Sequence, residues 1–500
     1  MSMPAAQIHS TASLAQLLQG YADAPDIPLA GIASDSRRLR DGFLFLACKG
    51  INSHGLAYLE QALAAGARAV AWEPGAVDEP TDIDVPVIAV ENLNAHLGDI
   101  ANRFYGYPSE HLKVVGITGT NGKTTVAWLI SQCLRQLDER CGYLGTLGYG
   151  VDDVQGAEGM TTPAAIELHG RLADFIDQGA AHAAIEVSSH ALSQGRVDGV
   201  RFEAALFTNL TRDHLDYHGD MQKYFECKAR LFLRHKVASR IINLDTEFGT
   251  ELAARCGQDV ITVSTHFDRV ANGRPFVFVR SVVANEQGSD ISITSSWGNA
   301  RFTLSLPGDF NIANAVITLA YLLSIGVDLE KACDLLELVD APSGRMQRVP
   351  ASGTAIYVDY AHTPNAIESA LRALRPHCRG KLWCVFGCGG DRDTGKRPLM
   401  AKLAGRMADL VVVTNDSSRS EDPKKIITDI LAGFGTTDAV TVIEDRAAAI
   451  VWSINQAEPA DVVLIAGKGH EEYLEIGDEH RPFSDFAIAS AAIDAKEGAK

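Results

Sequence analysis

The sequence predicts an α/β protein of three domains: a central domain built on a mostly parallel sheet with a phosphate loop, a smaller domain before it, and a doubly wound domain after it. Three observations predict this. The chain has 500 residues with an ordinary globular makeup, 46% hydrophobic and 22% charged, which is too long for one hydrophobic core. From about residue 111, apolar β-branched runs alternate with helical stretches, as parallel strands joined by crossover helices require. Finally, VVGITGTNGKTTV at 114–126 sets glycines between a strand and a helix.

Residues 1–110 form the first predicted domain, with short strands GIASDS, GFLFLAC, ARAVAWE and VPVIAV and a helical run AYLEQALAAG. Residues 111–340 form the second, where AAIEVSS, AALFTNL and RIINLD follow the glycine loop as strands separated by helical spacers. Within it, FVFVRSVVA, DISITSS and RFTLSL between 270 and 305 read as a β insertion, and NAVITLAYLLSIG as a buried helix. LVDAPSGRMQRV at 338–349 reads as a linker, because proline and glycine break the pattern. Residues 341–500 form the third domain. Its runs IYVDYA, KLWCVFGCGGDRD, DLVVVTND, AVTVIED and DVVLIAGKG each end in glycine or polar residues. They predict a Rossmann-like sheet with ligands at the carboxyl ends of its strands.

Bulk properties exclude several function classes. A net charge of −18 argues against a nucleic-acid partner, since phosphate backbones demand clustered lysine and arginine. The start MSMPAAQIHSTASLAQLLQG lacks a basic stretch followed by an apolar run, so no secretory signal is expected. No window approaches the apolar length of a membrane span. The nine cysteines are scattered and odd in number; Cys384 and Cys388 lack a second pair or matching histidines, so reduced thiols of a cytoplasmic protein are expected rather than zinc.

The chemistry concentrates in a few motifs. In the glycine loop, Ile117 stands where the common phosphate loop has its first glycine. Gly119, Thr120, Asn121 and Gly122 still let backbone N–H groups face an anion at a helix N-terminus. Lys123 supplies a compact charge for phosphates, Thr124 a hydroxyl for Mg²⁺, and Thr125 follows. A tight turn alone explains the glycines but not Lys-Thr-Thr after them. Glu186 ends an apolar strand, where its carboxylate can hold a metal or sit on the surface. His214 lies among Asp213, Asp216 and His218, either a metal-binding cluster or a solvated turn. Lys228, in YFECKARLF, reads by composition as a solvent-exposed helix lysine.

GTNGKTT resembles the nucleotide loop of the Mur ligase superfamily, which includes the folylpolyglutamate synthases. The likeness extends through EVSSHAL (186–192), FTNLTRDHLDYHG (207–219), LPGDFNIANA (306–315), SGRMQ (343–347) and VDYAHTPNA (358–366). SDSRRLRDGFLFLACKG at 34–50 resembles the uridine-nucleotide domain shared by MurE and MurF ligases. GCGGDRDTGKRPLM (387–400) and AGKGHEEY (466–473) are similar to the MurE type. The resemblance implies an enzyme of cytoplasmic peptidoglycan synthesis that uses ATP to turn a carboxylate into an acyl phosphate, which an amine then attacks. It places ATP on residues 119–125, with Asn311 near adenine, Asp359 at the ribose, and Arg345 reaching the nucleotide when the domains close. It implies two Mg²⁺ ions at Thr124, Glu186, His214 and a Lys228 carbamylated by carbon dioxide. Lys123, Glu186, His214 and Lys228 are then the catalytic set. Ser36, Thr161, Thr162, Ser188, Gln194 and Arg196 would hold UDP-MurNAc-L-Ala-D-Glu. Arg392, Asp416, Ser417, Ser418, Arg419, Gly467 and Glu471 would hold meso-diaminopimelate. A monomer is expected.

One loop departs from that pattern. Family members that add diaminopimelate carry Asp-Asn-Pro-Arg, and lysine-adding relatives replace the arginine; this chain has Asp416-Ser417-Ser418-Arg419. A guanidinium pairs with the distal carboxylate of diaminopimelate and repels the bare ammonium of lysine. The structural alternative for Arg419 is an ion pair with Glu421 or Asp422. Two other functions stay open at this point: a ligase for lysine or another diamino acid, and a nucleotide switch without ligation.

Overall fold

The computed structural model describes residues 12–50, 53–75, 77–156, 159–269, 273–285, 287–351, 353–436 and 439–498. Residues 1–11, half of the stretch read as lacking a secretory signal, lie outside the described residues. The protein divides into two compact units between Thr262 and Val263, apart from a short return near residue 273.

The first unit begins with a four-stranded parallel sheet in the order β1 (Gly31–Ala33), β2 (Phe43–Ala47), β3 (Ala69–Trp72), β4 (Val87–Ala89). Both of its faces are covered, which is why GFLFLAC is a continuous apolar run rather than an alternating one. Leu44 and Leu46 pack with Leu14, Leu17 and Ile100, while Phe45 and Ala47 pack with Leu39, Ala62 and Trp72.

The larger sheet of this unit contains β5 (Lys113–Thr118), β6 (Cys141–Gly145), β7 (Gly148–Gly150), β8 (His182–Glu186), β9 (Phe202–Phe207) and β10 (Val237–Asn243). Their spatial order is β10-β9-β5-β8-β6-β7, parallel except for β7. Parallel neighbours need long crossovers, supplied by helices Lys123–Gln136, Ala165–Asp177 and Met221–Leu233. The topology brings the loops after β5, β8 and β9 to one carboxyl edge. β11 (Ile261–Ser264) runs across the division.

In the second unit β12 (Phe276–Asn285), β13 (Gly288–Ser295) and β14 (Gly298–Leu304) form an antiparallel meander, the insertion the sequence predicts. The buried helix Asp309–Ser324 follows. The last sheet has the order β15-β16-β20-β17-β18-β19. Its strands are β15 (Gln347–Val349), β16 (Ala355–Asp359), β17 (Leu382–Phe386), β18 (Leu410–Val413), β19 (Val440–Val442) and β20 (Val462–Ala466). All are parallel except β15, which pairs antiparallel with β16. The expected linker thus ends as an edge strand, because Val349 is buried in the core and Asp359 accepts from the Met346 N–H at 2.7 Å. Leu382, Cys384 and Phe386 feed one face and Trp383 and Val385 the other.

The hairpin of β21 (Tyr473–Ile476) and β22 (Glu479–Pro482) has no counterpart in the sequence reading, since YLEIGDEHRP lacks apolar alternation. All nine cysteines are free thiols, and burial pushes Cys384 and Cys388 up to about 12, which favours the protonated form over a metal thiolate. Among the described residues no helix is long and apolar enough to cross a membrane.

Candidate active site

The chain leaves β5 at Thr118 and turns through Gly119 and Gly122 into helix Lys123–Gln136. Gly119 has φ 151°, and a Cβ there would lie 1.9 Å from Thr208 Oγ1, so the turn admits only glycine. The loop is strapped to the segment after β9. The N–H groups of Thr120 and Asn121 donate to Asn209 O and Oδ1, each at 3.0 Å, and Thr208 Oγ1 donates to Asn121 O at 2.6 Å. Lys123 Nζ donates to the carbonyls of Gly119 and Thr120 at 3.0 and 2.9 Å. Thr124 and Thr125 are buried in the first helical turn.

Lys228 overturns its reading as an exposed helix lysine. It is only 1% exposed, because it shares the inward face of helix Met221–Leu233 with Tyr224 and Leu231. Its Nζ donates to Gly119 O at 2.8 Å, beneath the phosphate loop, and lies 4.8 Å from the Tyr224 ring centroid. Burial, and then the nearby Lys123 charge, hold its pKa well below the usual lysine range. No carboxylate pairs with it among the described residues.

A cavity of about 210 Å³ opens at this edge, lined by Lys123, Thr161, Ser188, Arg196, His214 and Lys228. These come from five chain segments that the sequence alone could not place together. Thr162 Oγ1 donates to Glu186 O at 2.7 Å and accepts from the Ser188 N–H at 3.1 Å. Arg196 donates to Thr162 O at 2.7 Å and through Nε and Nη2 to Gln194 Oε1 at 2.9 and 2.6 Å. Ser36 is apart from this network, donating to Gln61 Oε1 at 2.9 Å and not lining the cavity.

Glu186 is fully buried behind the cavity wall. Its carboxylate accepts from Tyr143 OH (2.6 Å), the Thr146 N–H (2.9 Å) and Thr146 Oγ1 (3.1 Å), and Thr146 Oγ1 also lies 3.2 Å from Thr161 Oγ1. His214 has φ 51°, is 46% exposed at its side chain, and lies 3.5 Å from Asp213. His190 and Tyr224 line the cavity too, and the sequence reading did not pick them out although both lie in or near quoted motifs. The His190 ring is 5.1 Å from that of His214, and burial lowers the pKa of His190 and of His218. Among the described residues no three His, Cys, Asp or Glu side chains form a ready metal cage. Oxygen donors such as the Thr124 hydroxyl and the Glu186 carboxylate have the ligand chemistry that Mg²⁺ takes.

The second unit carries the remaining predicted residues. Asn311 is buried, donating to Pro307 O at 2.9 Å and accepting from Asn314 at 3.2 Å. The Arg345 guanidinium lies 4.8 Å from the Tyr360 ring centroid, and its buried Nε has no hydrogen-bond partner among the described residues. Burial raises the pKa of Asp359. At the carboxyl ends of β18 and β20, Gly467 (φ 123°) brings its backbone against Asp416, where a Cβ would lie 3.0 Å from Oδ2. Lys468, fully buried, lies 2.9 Å from Glu471 Oε2 and 3.8 Å from Asp416 Oδ1. Burial pushes Asp416 up, but Arg446 and Lys468 outweigh it and hold the carboxyl below its usual value. Arg446 is itself buried against Asp485 at 2.7 Å. The sequence reading missed Lys468, Arg446 and Asp485; only Lys468 had a signal, its place inside AGKGHEEY.

Arg419 pairs with neither Glu421 nor Asp422. Glu421 is taken by buried Arg397 (2.7 Å), and Asp422 caps helix Pro423–Leu431. Arg419 Nε donates instead to Glu475 Oε2 at 2.8 Å and Nη1 to Gly390 O at 2.8 Å. Ser417 and Ser418 are buried beside it. Arg392 is exposed and makes no hydrogen bond or ion pair among the described residues.

Comparison with known proteins decides the family. Three family models match in succession: Mur ligase family, catalytic domain over residues 28–105, Mur ligase middle domain over 117–322, and Mur ligase, glutamate ligase domain over 344–469. The chain belongs to the Mur ligase family. A UDP-N-acetylmuramoyl-L-alanyl-D-glutamate–2,6-diaminopimelate ligase of Alkalilimnicola ehrlichii is 46% identical, covering 95% of this chain and 97% of its own. The protein of the same name from Pseudomonas aeruginosa is 44% identical over 94% and 96%. A solved structure with that name superposes with a TM-score of 0.75 at 33% identity, covering 98% of this chain and 100% of the other.

As a Mur ligase, the protein keeps its phosphate loop and buried lysine in one unit and its arginine loop, Asp416–Arg419, in the other. The chemistry the first site can perform is to bind a phosphate chain on backbone N–H groups and Lys123. The cluster of Asp416, Glu471 and Lys468 in the second unit carries one more negative than positive charge, so it suits an ammonium.

Proposed function

We propose that the protein is an ATP-dependent ligase that joins meso-diaminopimelate to UDP-MurNAc-L-Ala-D-Glu during cytoplasmic synthesis of peptidoglycan precursors, acting as a monomer. Residues 1–110 would bind the uridine nucleotide, 111–340 would bind ATP and carry the chemistry, and 341–500 would bind the amino acid. The observation that supports this best is the convergence of Lys123 and buried Lys228 with Thr161, Ser188 and Arg196 on one cavity. The relatives named for this reaction cover nearly the whole chain.

In this reading the side-chain carboxylate of D-glutamate attacks the γ-phosphate of ATP, expelling ADP and forming an acyl phosphate. Lys123 holds the transferring phosphoryl group. The Thr162–Ser188–Arg196 network fixes the muramyl peptide so that its carboxylate arrives in line. The amine of diaminopimelate then attacks the acyl carbon and expels phosphate. Thr124, Glu186, His214 and carbamylated Lys228 would hold two Mg²⁺ ions, which neutralise charge on the phosphates. Asn311, Asp359 and Arg345 would contact the nucleotide. Asp416 and Glu471 would take the ammonium groups of the amino acid, Arg419 its distal carboxylate, and Ser417, Ser418, Gly467 and Arg392 the rest of the pocket rim.

A panel of amino acids, incubated with UDP-MurNAc-L-Ala-D-Glu and ATP and read by product mass, tests the assignment. The expected product carries one diaminopimelate per muramyl peptide and appears with one ADP and one phosphate. A product formed chiefly with lysine would overturn the substrate, and ATP cleavage indifferent to both acceptor and amine would overturn the ligase.

A further inference from the structure

We infer that Glu475, on the β21 edge, is a positioning residue that fixes the guanidinium of Arg419 for the distal carboxylate of the amino acid. The inference rests on the proposed role of Arg419 and deepens it. Ser417 and Ser418 give the Asp416–Arg419 loop no proline to stiffen it, and Arg419 sits at φ 50°. A non-glycine residue in that region needs outside support.

The hairpin supplies it. The Glu475 N–H donates to Ser417 Oγ at 3.1 Å, the Arg419 N–H to Glu475 O at 3.0 Å, and the Gly477 N–H to Arg419 O at 2.8 Å. Arg419 and Ile476 form an isolated parallel bridge. These backbone bonds fix where Arg419 begins, and its side chain is then fixed at two nitrogens. Nε donates to Glu475 and Nη1 to Gly390 O, while Nη2 makes no hydrogen bond among the described residues.

A free arginine loses much rotamer freedom when it binds a carboxylate, and a guanidinium already held at Nε loses less. Glu475 thus presents Nη2 to the ligand at reduced entropic cost. The pair is three-quarters buried, with side-chain exposures of 24% and 30%, so solvent screens it only in part. The hairpin that the sequence pattern does not reveal is, on this account, the part that holds the Ser-Ser loop in place.

The test combines steady-state kinetics with an NMR measurement of Arg419 Nε–H exchange, its resonance identified by its loss in Arg419→Lys. Glu475→Ala should raise the KM for diaminopimelate about tenfold, leave the KM values for ATP and muramyl peptide within about twofold, and speed the exchange. Glu475→Gln keeps an acceptor for Nε and should fall between wild type and Glu475→Ala in both readouts. An unchanged diaminopimelate KM, or equal rises in all three KM values, overturns the inference. If wild type uses a different amino acid, the substrate reading fails by itself; slow Nε–H exchange that persists in Glu475→Ala overturns the positioning role whatever the substrate.

Discussion

A lysine with no carboxylate partner, buried under a phosphate loop, costs the fold unless it loses its proton, and Lys228 is such a residue. Its folded pKa lies well below the ordinary lysine value, so between the two the unfolded chain binds a proton that the folded chain does not. Stability therefore rises with pH through that window in carbon-dioxide-free buffer, by up to about 1.4 kcal/mol per pH unit for this one group. Urea melts of Lys228→Met across the same window should lack that contribution. Equal slopes for the two proteins would mean that Lys228 stays charged in the fold. At the other site, Arg419→Ala removes one member of a largely desolvated charge pair, a loss of about 2–5 kcal/mol. Diaminopimelate use should fall by roughly tens- to thousands-fold, while lysine, with no distal carboxylate, should lose little. The ratio of kcat/KM for the two amino acids decides it, and an unchanged ratio would sever Arg419 from substrate choice.

Among the elements, the phosphate loop shows how a helix N-terminus becomes a binding site only when something else holds it open. Gly119 sits against Thr208, and Asn209 takes two of the loop's N–H groups. The loop is thus built from the ends of β5 and β9 together, with helix Met221–Leu233 packed beneath through Lys228. Lys123→Ala leaves these bonds in place, because none of them is made by the Lys123 side chain, whose Nζ donates to the carbonyls of Gly119 and Thr120. The variant should fold normally yet lose phosphoryl transfer by about 100-fold or more, the scale of removing a preorganised charge from a transition state. Phosphate release and a thermal melt on the same sample check both halves; near-normal turnover in a folded variant would reject the role of Lys123. The β21–β22 hairpin is the complementary case, an exposed element with little apolar surface whose backbone is spent on the Arg419 loop.

Across the whole molecule, an excess of 18 negative charges coexists with local basic groups: Lys123 and Arg196 line one cavity, while Arg446 and Lys468 are matched by Asp485, Asp416 and Glu471 in a second cluster. The sequence by itself determined the α/β class, most strands of the main sheets but not β6, β7, β11 or the edge strand β15, the meander after residue 276 and the phosphate loop. Each of these rests on local signals, namely apolar runs of strand length, turn residues and a glycine-lysine pattern. It also carried the family motifs, and with them Thr161, Ser188, Arg196 and His214, which the fold brings to the wall of one cavity. Only the tertiary structure decided which side chains are buried and what they face. Lys228 looks exposed in YFECKARLF because helical periodicity tells which residues share a face, not whether a phosphate loop covers it. Arg419 has two acidic neighbours in sequence, yet Arg397 and a helix N-terminus claim them, leaving it to Glu475, 56 residues away in the chain. Pairing of that kind depends on competition among all nearby charges in space, and a linear sequence does not contain those distances.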